Sequence, residues 1–123
     1  MSAGDALFVR TGNWARRKAG DRTGRGSAGF DVTVIPWLKK RDVAVLGSES
    51  ASMEAMPNKY NLGPLPVHWF ATAFLGMPVI DYLDLDDLSA IAAQQRRWEF
   101  LVTIAPLPIR GGTGSPINPI AVF

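Results

Sequence analysis

The residues able to do chemistry in this chain are few, and their scarcity is informative. His68 is the sole histidine, there is no cysteine, and eleven side chains are Asp or Glu. Absence of cysteine rules out disulfides, thiolate metal centres and a cysteine nucleophile. One imidazole rules out a two-histidine zinc site built from a single copy of these residues. A Ser-His-Asp triad would have to use His68, and no Gly-x-Ser-x-Gly turn accompanies it. His68 follows Pro64-Leu-Pro-Val67 and precedes the apolar Trp69-Phe-Ala71, while Asp81 lies thirteen positions further on. A helix and a turn of that length can return the chain to one edge of a sheet. A histidine and a carboxylate held there could coordinate a metal or relay a proton. The competing reading is a histidine satisfied within the core, and on spacing alone that reading comes first.

Two other stretches invite a chemical reading. Gly111-Gly-Thr-Gly-Ser-Pro116 can form a nest of backbone N–H groups for an anion. No lysine follows it, and Pro116 and Pro119 disfavour a following helix, so it reads as a tight loop shaping a cavity wall. The first 25 residues carry Arg10, Arg16, Arg17, Lys18, Arg22 and Arg25 against only Asp5 and Asp21. Trp14 lies among them, and such a stretch could touch phosphate backbones. No nucleic-acid motif follows, so a solvated loop is the favoured reading and nucleic acid is not expected as a partner. The segment from Asp81 to Asp87 is acidic in turn.

These residues must be positioned by an α/β arrangement. Ala6–Arg10 reads as a buried strand and residues 11–29 as a long basic, glycine-rich loop. Asp31 can cap a helix through Val34, Trp37 and Leu38, with Pro36 in its first turn and Lys39-Lys-Arg41 at its end. Val43–Leu46 reads as a second strand closed by Gly47, and residues 48–66 as irregular. Val67–Leu75 has helical character with Gly76 as its stop. Val79-Ile80 forms a short apolar pair. Leu85, Leu88, Ile91 and Ala92 then mark an amphipathic helix with Arg96-Arg97 at its end. Phe100–Ala105 is the strongest strand, and the closing Ile120-Ala-Val-Phe123 is expected in a sheet or an interface. The expected fold is mixed α/β, one domain over residues 1–123, with a mixed sheet and flanking helices.

The composition, 47% hydrophobic and 20% charged over 123 residues, is that of a folded protein. No run of eighteen apolar residues marks a membrane span, no signal-peptide pattern opens the chain, and a cytoplasmic location is expected.

Several stretches together resemble a known family. They are Trp37-Leu-x-x-Arg41-Asp-Val-Ala-Val-Leu-Gly47-Ser, Pro66-Val-His68, Gly76-Met-Pro-Val-Ile-Asp81-x-Leu-Asp-Leu, Arg97-Trp-Glu-Phe-Leu101, Ala105-Pro-Leu-Pro and Gly111-Gly-Thr-Gly-Ser-Pro-Ile-Asn-Pro-Ile-Ala. In this order they are similar to the C-terminal half of the cyclase family, the metal-dependent hydrolases that include kynurenine formamidase (arylformamidase) of tryptophan catabolism. The resemblance implies a swivelling β/β/α fold, one or two divalent zinc or manganese ions, and hydrolysis of amide or formamide bonds as in N-formylkynurenine. It also implies assembly into homo-oligomers. The family's metal signature, His-x-Gly-Thr-His-x-Asp-x-Pro-x-His, is not found in these 123 residues. By resemblance His68 matches the histidine of the family's second site element and Asp81 its carboxylate, which is usually glutamate. Both would bind metal or orient and deprotonate the attacking water. The resemblance favours a site role for His68 over the core reading. Trp14, Trp37 and Trp69 could line an apolar pocket, with core packing favoured for Trp37. With half of the site missing, the chain alone is expected to be inactive or barely active. The alternative is a non-catalytic scaffold or oligomerising remnant of the fold.

Overall fold

Short β-branched and apolar runs separated by helices can pair in parallel only if each crossover carries the chain back over the sheet. The computed structural model, which describes residues 1–23, 26, 28–50, 55 and 59–123, shows this arrangement. It falls into two compact units, Met1–Asp86 and Asp87–Phe123. In the first, β1 (Ala6–Val9), β2 (Val45–Ser48) and β3 (Val79–Ile80) form a parallel sheet in the order β1-β2-β3. Leu7 pairs with Leu46 and Leu46 with Val79, a row of apolar side chains on one face. That row meets the core of Leu38, Val43, Leu46, Val67, Ala71 and Met77.

The first crossover holds three helical pieces. Helix α1 (Asn13–Lys18) lies inside the stretch expected to be loop. Its local sequence has no apolar periodicity and no capping side chain of its own. The groups that satisfy its first turn come from elsewhere in the chain, as shown below. Asp31 then caps a 3-10 turn, Val32–Val34, by accepting from Thr33 N at 3.0 Å. Helix α2 (Ile35–Arg41) continues from it with Pro36 in the first turn and three basic residues in the last. Asp42, at φ 53°, closes α2 in the left-handed conformation. Val43 thereby belongs to the helix stop and is buried beneath it, so β2 begins two residues later than the apolar run predicts. Trp37, expected in the core, is instead largely exposed and lies under the Arg41 guanidinium.

The second crossover leaves β2 through residues 48–66, of which 51–54 and 56–58 lie outside the described residues, as does Arg25 of the basic stretch. Helix α3 (Pro66–Trp69) widens at once into a π-helical turn, Phe70–Phe74. Leu75 N donates to Phe70 O, Met77 N to Ala71 O, and Gly76 sits at φ 63°, so the helix stops where the sequence predicts.

Gly47 has a packing reason. A Cβ there would lie 2.5 Å from Phe8 Cδ1 and 2.7 Å from Leu83 Cδ1. Gly47→Ala is therefore expected to lower stability by roughly 1–3 kcal/mol, as overpacking does. A reduced urea midpoint with an unchanged m-value would show it.

Helix α4 (Asp86–Gln95), all but its first residue in the second unit, follows a turn in which Asp84 accepts from Asp86 N at 3.1 Å. It ends at Arg96, which is left-handed at φ 52°. Strand β4 (Leu101–Thr103) pairs antiparallel with β5 (Ile120–Val122). The closing segment does join a sheet, yet Ile120 and Val122 are exposed on the ribbon face they share with Leu101. Phe100 and Phe123 stack at 5.2 Å beyond the ribbon's end. Among the described residues no helix is long and apolar enough to cross a membrane.

Candidate functional site

Parallel strands deliver their carboxyl ends to one edge of the sheet, and polar residues gather there in this fold class. Arg10 follows β1, Glu49 follows Ser48 at the end of β2, and Asp81 follows Ile80 at the end of β3. Gly47 pairs with Ile80, so one step further places Ser48 beside Asp81.

His68 and Asp81, singled out from the sequence, are brought together. His68 Nε2 lies 3.0 Å from Asp81 Oδ2, and the two side chains are 16% and 31% exposed. An ionised carboxylate only accepts, so Nε2 donates and Nδ1 is the acceptor of the neutral ring. Asp81 Oδ1 is buried without a hydrogen-bond partner. The helix carrying His68 is held by Thr72, whose hydroxyl donates to the His68 carbonyl at 2.6 Å. That side-chain bond sits where the ladder widens to π spacing. Next to His68, the Trp69 ring lies against Gly63, where a Cβ would approach the ring to 2.7 Å.

Asp81 is followed by Tyr82 at φ 58°, a conformation that costs a bulky residue roughly 1–3 kcal/mol and persists only where the surroundings impose it. Leu83 imposes it from one side. Its N–H donates to Ser48 O at 3.1 Å, and its carbonyl accepts from Trp14 Nε1 at 2.7 Å. Trp14 and Tyr82 in turn flank the Arg17 guanidinium, at 5.7 and 5.4 Å from their ring centres.

Glu49 was invisible to sequence reasoning. Its side chain is 0% exposed. Oε2 accepts from the backbone N–H groups of Thr11, Gly12 and Asn13 at 2.9, 2.6 and 3.1 Å, and from the Thr11 hydroxyl at 3.3 Å. These are the first-turn donors that α1 could not satisfy for itself. Oε1 has no hydrogen-bond partner and lies 3.9 Å from Arg10 Nε. A carboxylate directly after a strand was the only available signal, and it is a weak one.

The basic stretch does not stand free. Arg10 and Lys18 both bind Asp86, at 2.8 and 2.7 Å, and Lys18 also lies 3.7 Å from Asp84. The bonds from Lys18 and Arg10 pull the Asp86 carboxyl below its usual range, and the bond to Asp86 pushes Lys18 up. Much of the basic stretch is therefore folded against the acidic segment. Within the loop, Arg16 bonds Asp21, and Thr23 donates to Asp21 through its N–H and hydroxyl at 3.0 and 2.8 Å. Arg16 first, then Thr23, lower the Asp21 pKa from 3.8 to about 2. A depressed folded-state pKa means this clip contributes above pH 3.8 and is lost as pH falls towards about 2. The protection of the Thr23 amide, its exchange rate relative to that of an unstructured peptide at the same pH, is expected to fall across that window and to hold above it.

The Gly111–Pro116 loop commits some of its own polar groups: Gly112 N donates to Ile109 O, and Ser115 Oγ accepts from Leu107 N at 3.1 Å.

The metal implied by the family resemblance can be weighed against these donors. His68 Nε2 and Asp81 Oδ2 converge on one shared proton, and Oδ1 has an uncommitted buried lone pair. A divalent cation replacing that proton would meet a nitrogen and a carboxylate, a donor set suited to zinc or manganese. Among the described residues no group of three or more His, Asp or Glu side chains could hold a metal. The pair fits as two ligands of a site, not as a complete one.

A parallel three-stranded sheet with helical crossovers, ending in this polar edge, is a cyclase-like α/β fold. The chain is similar to a solved structure described as the crystal structure of a novel cyclase, with 30% identity and a TM-score of 0.87 over 100% of this chain. It spans 41% of that protein's length. No family model matches the chain, and no curated protein matches it. The likeness supports the cyclase family.

Proposed function

We propose that this chain is the C-terminal portion of a cyclase-family metal-dependent hydrolase acting on amide or formamide bonds, with N-formylkynurenine-type substrates of an arylformamidase. The observation that carries the reading is the 3.0 Å contact between His68 Nε2 and Asp81 Oδ2 at the carboxyl edge of the sheet. Support also comes from the likeness to the cyclase structure over the whole chain. In this reading Asp81 holds Nε2–H and fixes the ring so that Nδ1 is the atom that takes or gives a proton at the substrate. Glu49 and Thr72 hold the loop and the helix that frame the pair. A zinc or manganese ion bound by His68 and Asp81, together with donors from outside these residues, would polarise the carbonyl and acidify water. The small-molecule amide is the partner, and the cytoplasm is the proposed location.

The test is complementation. The chain is co-expressed with a cyclase segment carrying the His-x-Gly-Thr-His-x-Asp-x-Pro-x-His signature and assayed for N-formylkynurenine hydrolysis with zinc or manganese. Activity is expected only when both pieces are present. Full activity of the chain alone would contradict the two-ligand reading. A folded, complemented pair with no activity would favour the second reading, a non-catalytic oligomerising scaffold. That second reading is supported by the exposed apolar ribbon face of Leu101, Ile120 and Val122. Light scattering distinguishes it, since a stable monomer would remove its basis.

A further inference from the structure

The cations between β1 and the end of α1 differ in one respect. Arg10, Arg16 and Lys18 each bind a carboxylate, Asp86, Asp21 and Asp86 with Asp84 respectively. Arg17 binds none. Its guanidinium carbon lies over both aromatic rings, 5.7 Å from the centre of Trp14 and 5.4 Å from that of Tyr82. The Trp14 ring and the Tyr82 backbone are held independently of Arg17. Trp14 is tied by its indole N–H to the Leu83 carbonyl, and Tyr82 is held left-handed between Asp81 and Leu83. Leu83 is itself tied to Ser48.

A guanidinium packed against aromatic rings has lost part of its solvation and rotamer freedom before any ligand arrives. Its planar fork is then ready for a bidentate oxyanion. The carboxylates of this region are already engaged. Asp81 holds His68, and Asp84 and Asp86 hold Lys18 and Arg10. Among the described residues no carboxylate is paired with Arg17. Tyr82, whose ring Arg17 packs on, is the residue that directly follows Asp81.

We infer that Arg17, packed against Trp14 and Tyr82, is a substrate-binding group that takes a carboxylate of the ligand whose amide is presented to His68 and Asp81. This rests on the hydrolase reading for what His68 and Asp81 do; the anion site itself does not need that chemistry. Trp14 and Tyr82 supply aromatic surface next to Arg17, so an aromatic carboxylate fits better than a bare oxyanion.

The test uses the 123-residue chain without metal and without turnover. Benzoate, benzamide and inorganic phosphate are titrated in turn while nitrogen-15 NMR follows Arg17 Nε–H, the Trp14 indole N–H and the His68 ring. Benzoate is expected to move all three saturably, and benzamide at the same concentration to move none. Arg17→Gln is expected to weaken benzoate at least tenfold. Arg17→Lys is expected to weaken it several-fold, because a point charge lacks the fork. Equal binding of benzamide, or unchanged benzoate affinity in Arg17→Gln, would overturn the site. Phosphate binding tenfold more tightly than benzoate would overturn the carboxylate assignment. Shifts at Arg17 and Trp14 with His68 unmoved would overturn its placement at this edge. In the complemented hydrolase, Arg17→Gln should raise KM for an anionic amide and leave that for a neutral amide unchanged. Failure of hydrolysis in that assembly bears on the hydrolase reading alone, since benzoate binding is measured without it.

Discussion

Glu49→Ala is expected to lose roughly 3–5 kcal/mol of stability, a large share of the 5–15 kcal/mol available to a domain of this kind. The reason is where its partners lie. One oxygen accepts from three consecutive backbone N–H groups, Thr11, Gly12 and Asn13, thirty-six to thirty-eight residues earlier in the chain. Truncation leaves those donors without their acceptor, and each buried unsatisfied donor costs about 1–3 kcal/mol. The same bonds start α1, and α1 carries Trp14 and Arg17 to the Tyr82 segment. Loss of the carboxylate should therefore loosen that wall as well as lower the melting temperature. Glu49→Gln keeps an acceptor oxygen at nearly the same volume but gives up the charge. It is expected to lose about 1–2 kcal/mol, the difference between a charge-assisted and a neutral set of bonds. Urea denaturation with amide exchange at Thr11, Gly12 and Asn13 measures both. An alanine variant within about 0.5 kcal/mol of the parent would show that water replaces the carboxylate without loss.

This residue also marks the limit of what could be read from the chain. β1 and β2 were legible because their apolar runs bury a face, although Asp42 in the left-handed conformation shifted the start of β2. The α3 stop at Gly76 was legible because a left-handed glycine leaves a local signature. Helix α1 was not legible, since its satisfying group is a distant glutamate and its sequence has no periodic apolar face. Nor was the π-helical turn, which depends on how Phe70–Phe74 packs rather than on any local motif. The basic and acidic segments were read separately, one as a solvated loop and the other as a bare acidic run. Their ion pairs through Asp86 join residues sixty-eight and seventy-six positions apart, beyond any local pattern. His68 and Asp81 lie between these extremes. Their spacing permitted contact without demanding it, and the family resemblance raised the site reading above the core one. The burial pattern shows why both readings had merit. His68 is mostly buried, as a core histidine would be, yet its ring is spent on a carboxylate at the sheet edge.

The largest functional effect is expected from that pair. In the complemented hydrolase, His68→Ala should reduce kcat by about 10²–10⁴-fold, the usual contribution of a positioned proton-transfer group. Asp81→Ala should fall in the same range, because the ring it orients through Nε2 would no longer present Nδ1 as the base. Since the two act as one unit, the double variant should be little worse than either single one, where independent groups would multiply their losses. Asp81→Glu supplies the control for function over folding. It restores the carboxylate common in the resembling family, one methylene longer, and should retain most of the activity that Asp81→Ala loses. His68 is the sole histidine in the chain, so its ring nitrogens give one resolvable pair of nitrogen-15 signals for the unlabelled question of tautomer. With Asp81 in place the proton of the neutral ring should sit on Nε2, and Asp81→Ala should release that preference. Multiplicative losses in the cycle, or a tautomer indifferent to Asp81, would separate the two residues and leave the 3.0 Å contact a structural one.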